Sequence, residues 1–250
     1  MNAQDSPPIW AVVPAAGVGR RMQARIPKQY LPLLGRPVIH WSLQALLDHP
    51  AVTGCMVALG RDDPYWPRQA MQSAKPVFTV NGGAERFQSV LNALEALLPR
   101  AGEDAWVLVH DAVRPCLTRP ELDRLLEQGM ISRHGALLAY PVRDTLKREG
   151  EEGCVAATAN RAGLWHAMTP QLFPLLPLLR SLQQALEGEF TVTDEAQAME
   201  RQGFQPLLVE GESTNLKITR PADLPLAEAI LRSQGVMEEE PADAADRTGA

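Results

Sequence analysis

Apolar residues recur along the chain in two alternating periods. Six short, mostly apolar runs have the length of strands buried on both faces, at residues 9–13, 55–59, 77–80, 106–109, 136–140 and 206–209. Between them, apolar side chains recur at helical spacing, notably within residues 39–47, 87–98 and 224–231. Thr118 and Glu121 have the spacing of a capping box and predict the start of another helix.

This alternation predicts an α/β fold, with a doubly wound, mostly parallel sheet flanked by helices. The 250 residues suit one large α/β domain or two small ones, and we expect a single domain over residues 9–235. Ligands of such folds bind at the carboxyl ends of the strands. We therefore expect functional side chains in the loops that directly follow the apolar runs.

Residues 142–161 interrupt the alternation. A charged turn that contains Gly150 and Gly153, residues 147–153, lies between two arms that have extended character. This pattern predicts a long β-hairpin that protrudes from the domain. Because an isolated two-stranded hairpin is marginally stable in water, we expect it to pack on a second copy of the chain. A flexible surface loop is the alternative.

The first apolar run leads into a loop of small and basic residues. Gly17 and Gly19 allow the backbone to approach a ligand closely, and Arg20, Arg21 and Lys28 can neutralise phosphate charges. Successive backbone N–H groups in such a loop form an anion-binding nest. The loop therefore predicts a polyphosphate site.

Two common phosphate loops are excluded by one residue. Counting from Gly17, both the P-loop and the dinucleotide fingerprint have a glycine at position 22, where this chain has methionine. A dinucleotide-dependent oxidoreductase also needs an acidic residue about 20 positions further on, at a strand end, and this chain has none there.

The net charge of −6 is concentrated at one end. Residues 238–250 contain five carboxylates and one arginine, so they contribute −4 of it, and we expect residues 236–250 to be a disordered acidic tail. The rest of the chain is nearly neutral and has no basic stripe, which argues against a nucleic-acid partner.

The termini and cysteines suggest a cytoplasmic protein. Residues 1–8 lack the features of a secretion signal, and we expect them to be disordered. No apolar run is long enough to span a membrane. Cys55, Cys116 and Cys154 are widely separated and odd in number, which predicts buried thiols in a reducing compartment rather than disulfides or a zinc site.

A second group of polar residues follows the run at 106–109. Asp111 lies just past the strand end, where a carboxylate can accompany Mg²⁺ on a triphosphate, and Arg114 can bind a phosphate. Taken singly, Thr193 and Thr219 could be helix N-caps, and Lys217 could be a solvated lysine at a strand end.

Several segments together resemble one family. The loop resembles those of sugar-nucleotide pyrophosphorylase-like nucleotidyltransferases and, more specifically, of the 2-C-methyl-D-erythritol 4-phosphate cytidylyltransferases. The resemblance extends from about residue 10 to residue 232 and is carried by residues 14–22, 27–30, 82–86, 110–112, 143–145, 164–171, 193–195 and 215–217. It implies a nucleotide-diphospho-sugar-transferase-like fold that transfers CMP from CTP to a polyol phosphate, with Mg²⁺ as the metal.

The resemblance also implies roles for individual residues. Arg21 and Lys28 would stabilise the transition state at the α-phosphorus, and Asp111 would bind the nucleotide with its Mg²⁺. The nucleotide would contact Ala15, Ala16, Gly17, Gly19, Gly83 and Ser89. The acceptor would be positioned by Arg161, Lys217, Arg114, Thr145, Thr169 and Thr193. The family dimerises through the hairpin, which implies a homodimer whose Thr145 and Arg161 serve the neighbouring site.

One position departs from the family pattern, and other functions remain open. Ala84 follows the glycine pair where the family commonly has aspartate, so cytosine selectivity depends on whether a carboxylate or the backbone reads the base. The alternatives are a ribitol 5-phosphate cytidylyltransferase and a non-catalytic nucleotide-binding protein on the same fold. The non-catalytic alternative would be expected to lack the cations at positions 21 and 28, and both are present.

Overall fold

A seven-stranded sheet forms the centre of the molecule. The computed structural model describes residues 7–17, 22, 24–66 and 73–238. Along the sheet the strands follow the order β11-β7-β10-β6-β1-β4-β5. Their bounds are β1 Ile9–Ala15, β4 Val52–Leu59, β5 Val77–Asn81, β6 Trp106–Val109, β7 Ala136–Pro141, β10 Trp165–Pro174 and β11 Leu207–Glu210.

The described residues form six α-helices, and all but the last contribute side chains to the apolar layers on the two faces of this sheet. They are α1 Val38–Leu47, α2 Arg86–Ala101, α3 Arg119–Gly129, α4 Leu175–Glu187, α5 Glu195–Glu200 and α6 Asp223–Ser233. The predicted cap of α3 is confirmed, because the Thr118 hydroxyl accepts from the Glu121 N–H and the Glu121 carboxylate accepts from the Thr118 N–H. The sequence pattern had not predicted α4 and α5.

The core consists of an apolar layer on each face of the sheet, as the doubly wound prediction requires. Along β1, Ala11 and Val13 face the layer that contains residues of α1 and α3, whereas Trp10 and Val12 face the layer built with α2, α4 and α5. Because successive side chains of a strand point to opposite faces, one apolar run supplies both layers. A smaller cluster joins α1 to α6.

Most neighbouring strands are parallel, and β10 is the exception. It pairs antiparallel with both β6 and β7 in the middle of the sheet. No strand was predicted there from the sequence. Prolines at 170 and 174 argue against a central strand. The pairing of β10 with β7 shifts register between Ala167 and Gln171, around Pro170.

Two short strands lie within the predicted hairpin segment. β8 Leu146–Glu149 pairs antiparallel with β9 Val155–Ala159, outside the main sheet. The hairpin is largely exposed in the single chain, including Val155 with 64% of its surface accessible. A last two-stranded pair, β2 Pro32–Leu33 with β3 Arg36–Pro37, precedes α1.

Two glycines with similar positive φ angles provide a paired stability test. Gly102 (φ +84°) and Gly135 (φ +75°) both adopt the region that favours glycine. A Cβ at Gly102 would meet no atom within 4 Å, whereas one at Gly135 would overlap the Phe173 ring and lie 2.5 Å from the Leu172 carbonyl oxygen.

We expect Gly102→Ala to lower the free energy of unfolding by about 1–2 kcal/mol, the conformational cost alone. Gly135→Ala should lower it by a further 1–3 kcal/mol or so, because the methyl group overpacks the core. Urea unfolding of both variants measures the difference. Equal losses would show that the core around Phe173 accommodates the added methyl group.

Candidate active site

A cavity of about 390 Å³ opens where the carboxyl ends of β1 and β6 meet the loop after β5. Its volume lies within the range of small-ligand sites. The residues that line it are Pro14, Ala15, Ala16, Gly17, Lys28, Gln29, Gly83, Ala84, Glu85, Arg86, Ser89, Asp111, Ala112, Val113, Lys217 and Thr219. The location agrees with the strand-end position expected for this fold class.

The described part of the first glycine loop is held by a buried glutamine. The side-chain amide of Gln29 donates to the carbonyl oxygen of Ala15 at 2.7 Å and to that of Gly17 at 3.0 Å. Both carbonyls are therefore engaged on the protein side. These two hydrogen bonds fix the described part of the loop at the edge of the cavity.

The second glycine loop packs directly against the first. A Cβ on Gly82 would come within 2.6 Å of the Ala16 Cβ, so only glycine permits this approach. The Gly83 N–H donates to the Ser89 hydroxyl at 3.1 Å, which ties the loop to the first turn of α2. The side chains of Glu85 and Gln88 form a capping box at the start of that helix.

Three cations surround the Asp111 carboxylate at the end of β6. Arg86 Nε donates to Oδ1 at 2.9 Å, Lys217 Nζ to Oδ2 at 2.9 Å, and Arg114 Nε to Oδ2 at 3.4 Å. Burial alone would raise the pKa of Asp111, but these positive charges hold the pKa well below its ordinary value. The carboxylate is therefore ionised although it is almost fully buried.

A chain of hydrogen bonds fixes the backbone around Asp111. His110 Nε2 lies 3.1 Å from the Arg114 carbonyl oxygen, which can only accept, so Nε2 carries the proton. Burial lowers the pKa of His110 to about 4, so the ring is neutral and its Nδ1 accepts from the Thr169 hydroxyl at 3.0 Å. That hydroxyl in turn accepts from the Asp111 N–H at 3.1 Å.

Two lysines from separate segments line the cavity. Lys28 follows the first glycine loop, and its Nζ donates to the carbonyl oxygen of Ile218 at 2.9 Å. Ile218 adjoins Lys217, whose Nζ contacts Asp111. The two ammonium groups therefore approach one cavity from separate segments, an arrangement suited to a ligand with several negative charges.

The structure brings together most of the predicted nucleotide residues. Ala15, Ala16, Gly17, Gly83, Ser89, Asp111, Lys28 and Lys217 line the cavity. Arg114 and Thr169 are buried behind Asp111 and contact it. Gly19 and Arg21 lie outside the described residues.

Three predicted acceptor residues lie away from the cavity lining in the single chain. Thr145 and Arg161 are exposed at the base of the hairpin. Thr193 is exposed before α5, and its hydroxyl donates to the side chain of Gln197. Asp194, rather than Thr193, caps α5.

Sequence reasoning missed two charged residues of the site. Arg86 lines the cavity, and its guanidinium binds the fully buried Glu195 through two N–H groups. The available signal was that both residues stand in segments that carry the family resemblance, residues 82–86 and 193–195.

A second cavity of about 580 Å³ lies between α1 and the end of α6. Its lining includes Arg119 and Arg124, which pair with Asp123 at 3.3 Å and with Glu212 at 3.7 Å. Because carboxylates already face these arginines, the cavity does not present the excess of positive charge found near Asp111.

The family of the chain follows from comparison with known proteins. The family model described as 2-C-methyl-D-erythritol 4-phosphate cytidylyltransferase matches residues 9–233. The chain belongs to this family. Members of this family are nucleotidyltransferases, so the chain is an enzyme of that class.

Individual members support the same assignment. The enzyme of this name from Halorhodospira halophila is 57% identical over 229 residues, covering 90% of this chain and 94% of that protein. The one from Pseudomonas aeruginosa is 52% identical, with 90% and 96% covered. The crystal structure of the family member from Francisella tularensis superposes with a TM-score of 0.77 at 33% identity, covering 90% of this chain and all of that one.

The described helices do not include a membrane span. None of them combines the length and apolar content that crossing a bilayer requires.

The Thr169 hydroxyl is a testable link between β10 and Asp111. We expect Thr169→Val to lower the free energy of unfolding by about 1–3 kcal/mol for each partner left unsatisfied, the Asp111 N–H and His110 Nδ1. Thr169→Ser keeps the hydroxyl and serves as the control. Chemical denaturation of both variants measures the difference, and equal stability would show that water replaces the hydroxyl.

Proposed function

We propose that the protein transfers the cytidylyl group of CTP to 2-C-methyl-D-erythritol 4-phosphate. The products are 4-diphosphocytidyl-2-C-methyl-D-erythritol and pyrophosphate, in non-mevalonate isoprenoid biosynthesis. The observation that supports this most is the ionised Asp111 with its surrounding cations, at the cavity between two glycine loops, in a chain of this family.

The chemistry needs alignment and charge stabilisation rather than a base. The acceptor phosphate is an anion at neutral pH and can attack the α-phosphorus directly. An O–P bond forms to the acceptor as the bond to the β-phosphate oxygen breaks, and pyrophosphate leaves with that electron pair. Positioned cations lower the barrier by screening two anions and by stabilising the transferring and leaving groups.

The cations divide between the two substrates in this proposal. Lys28, with Arg21, stabilises the charge that develops at the α-phosphorus. Lys217 and Arg161 position the acceptor phosphate, with Arg114, Thr145, Thr169 and Thr193 supporting that side. The nucleotide lies along Ala15, Ala16, Gly17, Gly19, Gly83 and Ser89.

The Asp111 carboxylate suits a magnesium ion that is held mainly by the triphosphate. The described residues contain no cluster of three His, Cys, Asp or Glu side chains that could cage a metal. Asp111 Oδ1 accepts one hydrogen bond in the described structure, from Arg86, so it can supply one ligand bond more. Mg²⁺ typically takes one or two carboxylates together with phosphate oxygens. When bound, it would neutralise charge on the triphosphate.

The remaining elements of the proposal concern assembly and location. Thr145 and Arg161 stand exposed at the base of the hairpin, which is consistent with a homodimer in which each hairpin reaches the partner's cavity. Cys55, Cys116 and Cys154 are free thiols in the described structure, which agrees with a cytoplasmic location. The prediction that all three are buried was wrong for Cys154, which is exposed in the hairpin. Ala84 lines the cavity, so in this proposal the backbone of the second glycine loop reads the base.

Pyrophosphate release from a panel of nucleoside triphosphates tests the function. We expect release with CTP and 2-C-methyl-D-erythritol 4-phosphate, and little with ATP, GTP or UTP or with ribitol 5-phosphate.

Arg21→Ala and Lys28→Ala should each lower kcat by about 100- to 1,000-fold, because each removes a cation that stabilises transition-state charge. Circular dichroism checks that both variants fold.

Faster release with ribitol 5-phosphate would support the alternative acceptor. No release from any combination would support a non-catalytic nucleotide-binding protein. Near-normal kcat in both variants would place Arg21 and Lys28 outside the catalytic machinery.

A mixing experiment tests the shared site. Lys28→Ala and Arg161→Ala chains should each be inactive alone, and mixing them should restore about a quarter of the wild-type activity, because half of the dimers are mixed and each holds one intact site. Lys28→Ala mixed with Lys217→Ala is the matched control, since both residues serve one site from one chain. Failure of the first pair to complement, despite demonstrated subunit exchange, would place Arg161 in its own chain's site.

A further inference from the structure

Arg86 connects three segments that are distant in sequence. It is the first residue of α2, directly after the second glycine loop. Its Nη1 donates to Glu195 Oε1 at 2.6 Å and its Nη2 to Glu195 Oε2 at 3.1 Å, while its Nε donates to Asp111 Oδ1 at 2.9 Å. All three nitrogens of the guanidinium are thus engaged, which fixes both its plane and its rotation.

We propose that Arg86, held by Glu195, is a positioning residue that orients the Asp111 carboxylate for the transfer reaction. The inference rests on the proposed function, because it assumes that Asp111 acts on the nucleotide. Neither Arg86 nor Glu195 needs to touch a reacting atom for this role.

Glu195 is well suited to hold another side chain in place. Its carboxylate is fully buried at the first residue of α5. The helix start is itself anchored, since the Gln171 side chain donates to Asp194 Oδ2 at 3.0 Å and accepts from the Ala196 N–H at 2.8 Å. A planar guanidinium that donates to both oxygens of one carboxylate keeps a single orientation. A lysine ammonium in the same place cannot form this paired contact.

The charge of Glu195 also decides what Arg86 binds. Burial would lower the pKa of Arg86, but the Glu195 and Asp111 carboxylates raise it above its ordinary value. Burial raises the pKa of Glu195, and the adjoining Arg86 charge opposes that rise and favours the ionised carboxylate. Because both carboxylates attract the guanidinium, it is restrained from swinging toward a triphosphate. Without the Glu195 charge, Arg86 could move to the phosphates and leave Asp111 misdirected.

Loss of the Arg86–Glu195 pair should affect turnover and nucleotide binding differently. Glu195→Gln keeps the shape and one acceptor oxygen but removes the charge, and Arg86→Lys keeps the charge but removes the fork. For Glu195→Gln we expect kcat to fall by about 10- to 100-fold, the range for groups that orient a functional ligand. Its Kd for CTP, measured by calorimetry without acceptor, should be no higher than that of wild type, because the released Arg86 can contact the phosphates.

Glu121→Gln is the matched control. Glu121 is equally buried, but its carboxylate caps α3 and accepts from the Glu212 N–H, away from the cavity. This variant should lose stability in urea unfolding while kcat per folded enzyme and the Kd for CTP remain unchanged. A purely structural Arg86–Glu195 pair would give the same result as Glu121→Gln.

The double variant Arg86→Met Glu195→Met provides a second test in case a single variant fails to fold. Replacing a buried ion pair by apolar side chains of similar size is often tolerated. We expect its kcat to fall no further than that of either single variant, because the two residues act as one unit. If Glu195→Gln does not fold, this double variant and Arg86→Lys decide the question.

Two results would overturn the inference. Unchanged kcat in the folded variants, or parallel losses of kcat and CTP affinity, would show that the pair does not orient Asp111. A wild-type protein that releases no pyrophosphate would instead contradict the proposed function, so the two failures are distinguishable.

Discussion

The site depends on keeping a carboxylate ionised where water hardly reaches it. A buried, unpaired charge costs several kcal/mol, so Asp111 could not remain at the end of β6 by itself. Arg86, Arg114 and Lys217 offset that cost, and each comes from a different part of the chain. The loops that carry them are therefore held together by the same charge that makes Asp111 useful.

The sheet brings these segments into reach. β1 and β6 are parallel neighbours, so the first glycine loop and Asp111 leave the sheet at the same edge. β5 lies two strands from β1. The loop after β5 still reaches the first glycine loop, because Gly82 allows close contact with Ala16. The central antiparallel strand β10 places the Thr169 hydroxyl beneath the Asp111 backbone. Regular elements thus determine the positions of irregular loops.

The sequence predicted those features of the fold that depend on local periodicity. The six apolar runs all correspond to strands, but only the four inner ones are largely buried. The edge strands β5 and β11 are mostly half-buried or exposed, because each has a neighbouring strand on one side only. Thr118 and Glu121 predicted their cap because that signal is contained in four residues. β10 was missed since its prolines contradict a central strand, and only the register shift next to Pro170 accommodates them. α5 was missed because the residues at its start, Thr193, Asp194 and Glu195, have low helix propensity or carry charge. The burial of Glu195 there depends on tertiary contacts.

The same distinction applies to the site. Glycines and cations next to strand ends predicted most of the cavity lining, because strand ends converge by topology. The Arg86–Glu195 pair could not be predicted this way, as its partners lie 109 positions apart and their contact depends on helix packing. The hairpin residues Thr145 and Arg161 remain predictions, because a single chain does not bring them to the cavity. One consequence of β10 extends beyond the site. Since β7 ends and β10 begins side by side, with Pro141 opposite Trp165, residues 142–164 form an insertion between two paired strands. Its length could change over evolution without altering strand order, so the reach of the hairpin can diverge among relatives while the sheet stays the same.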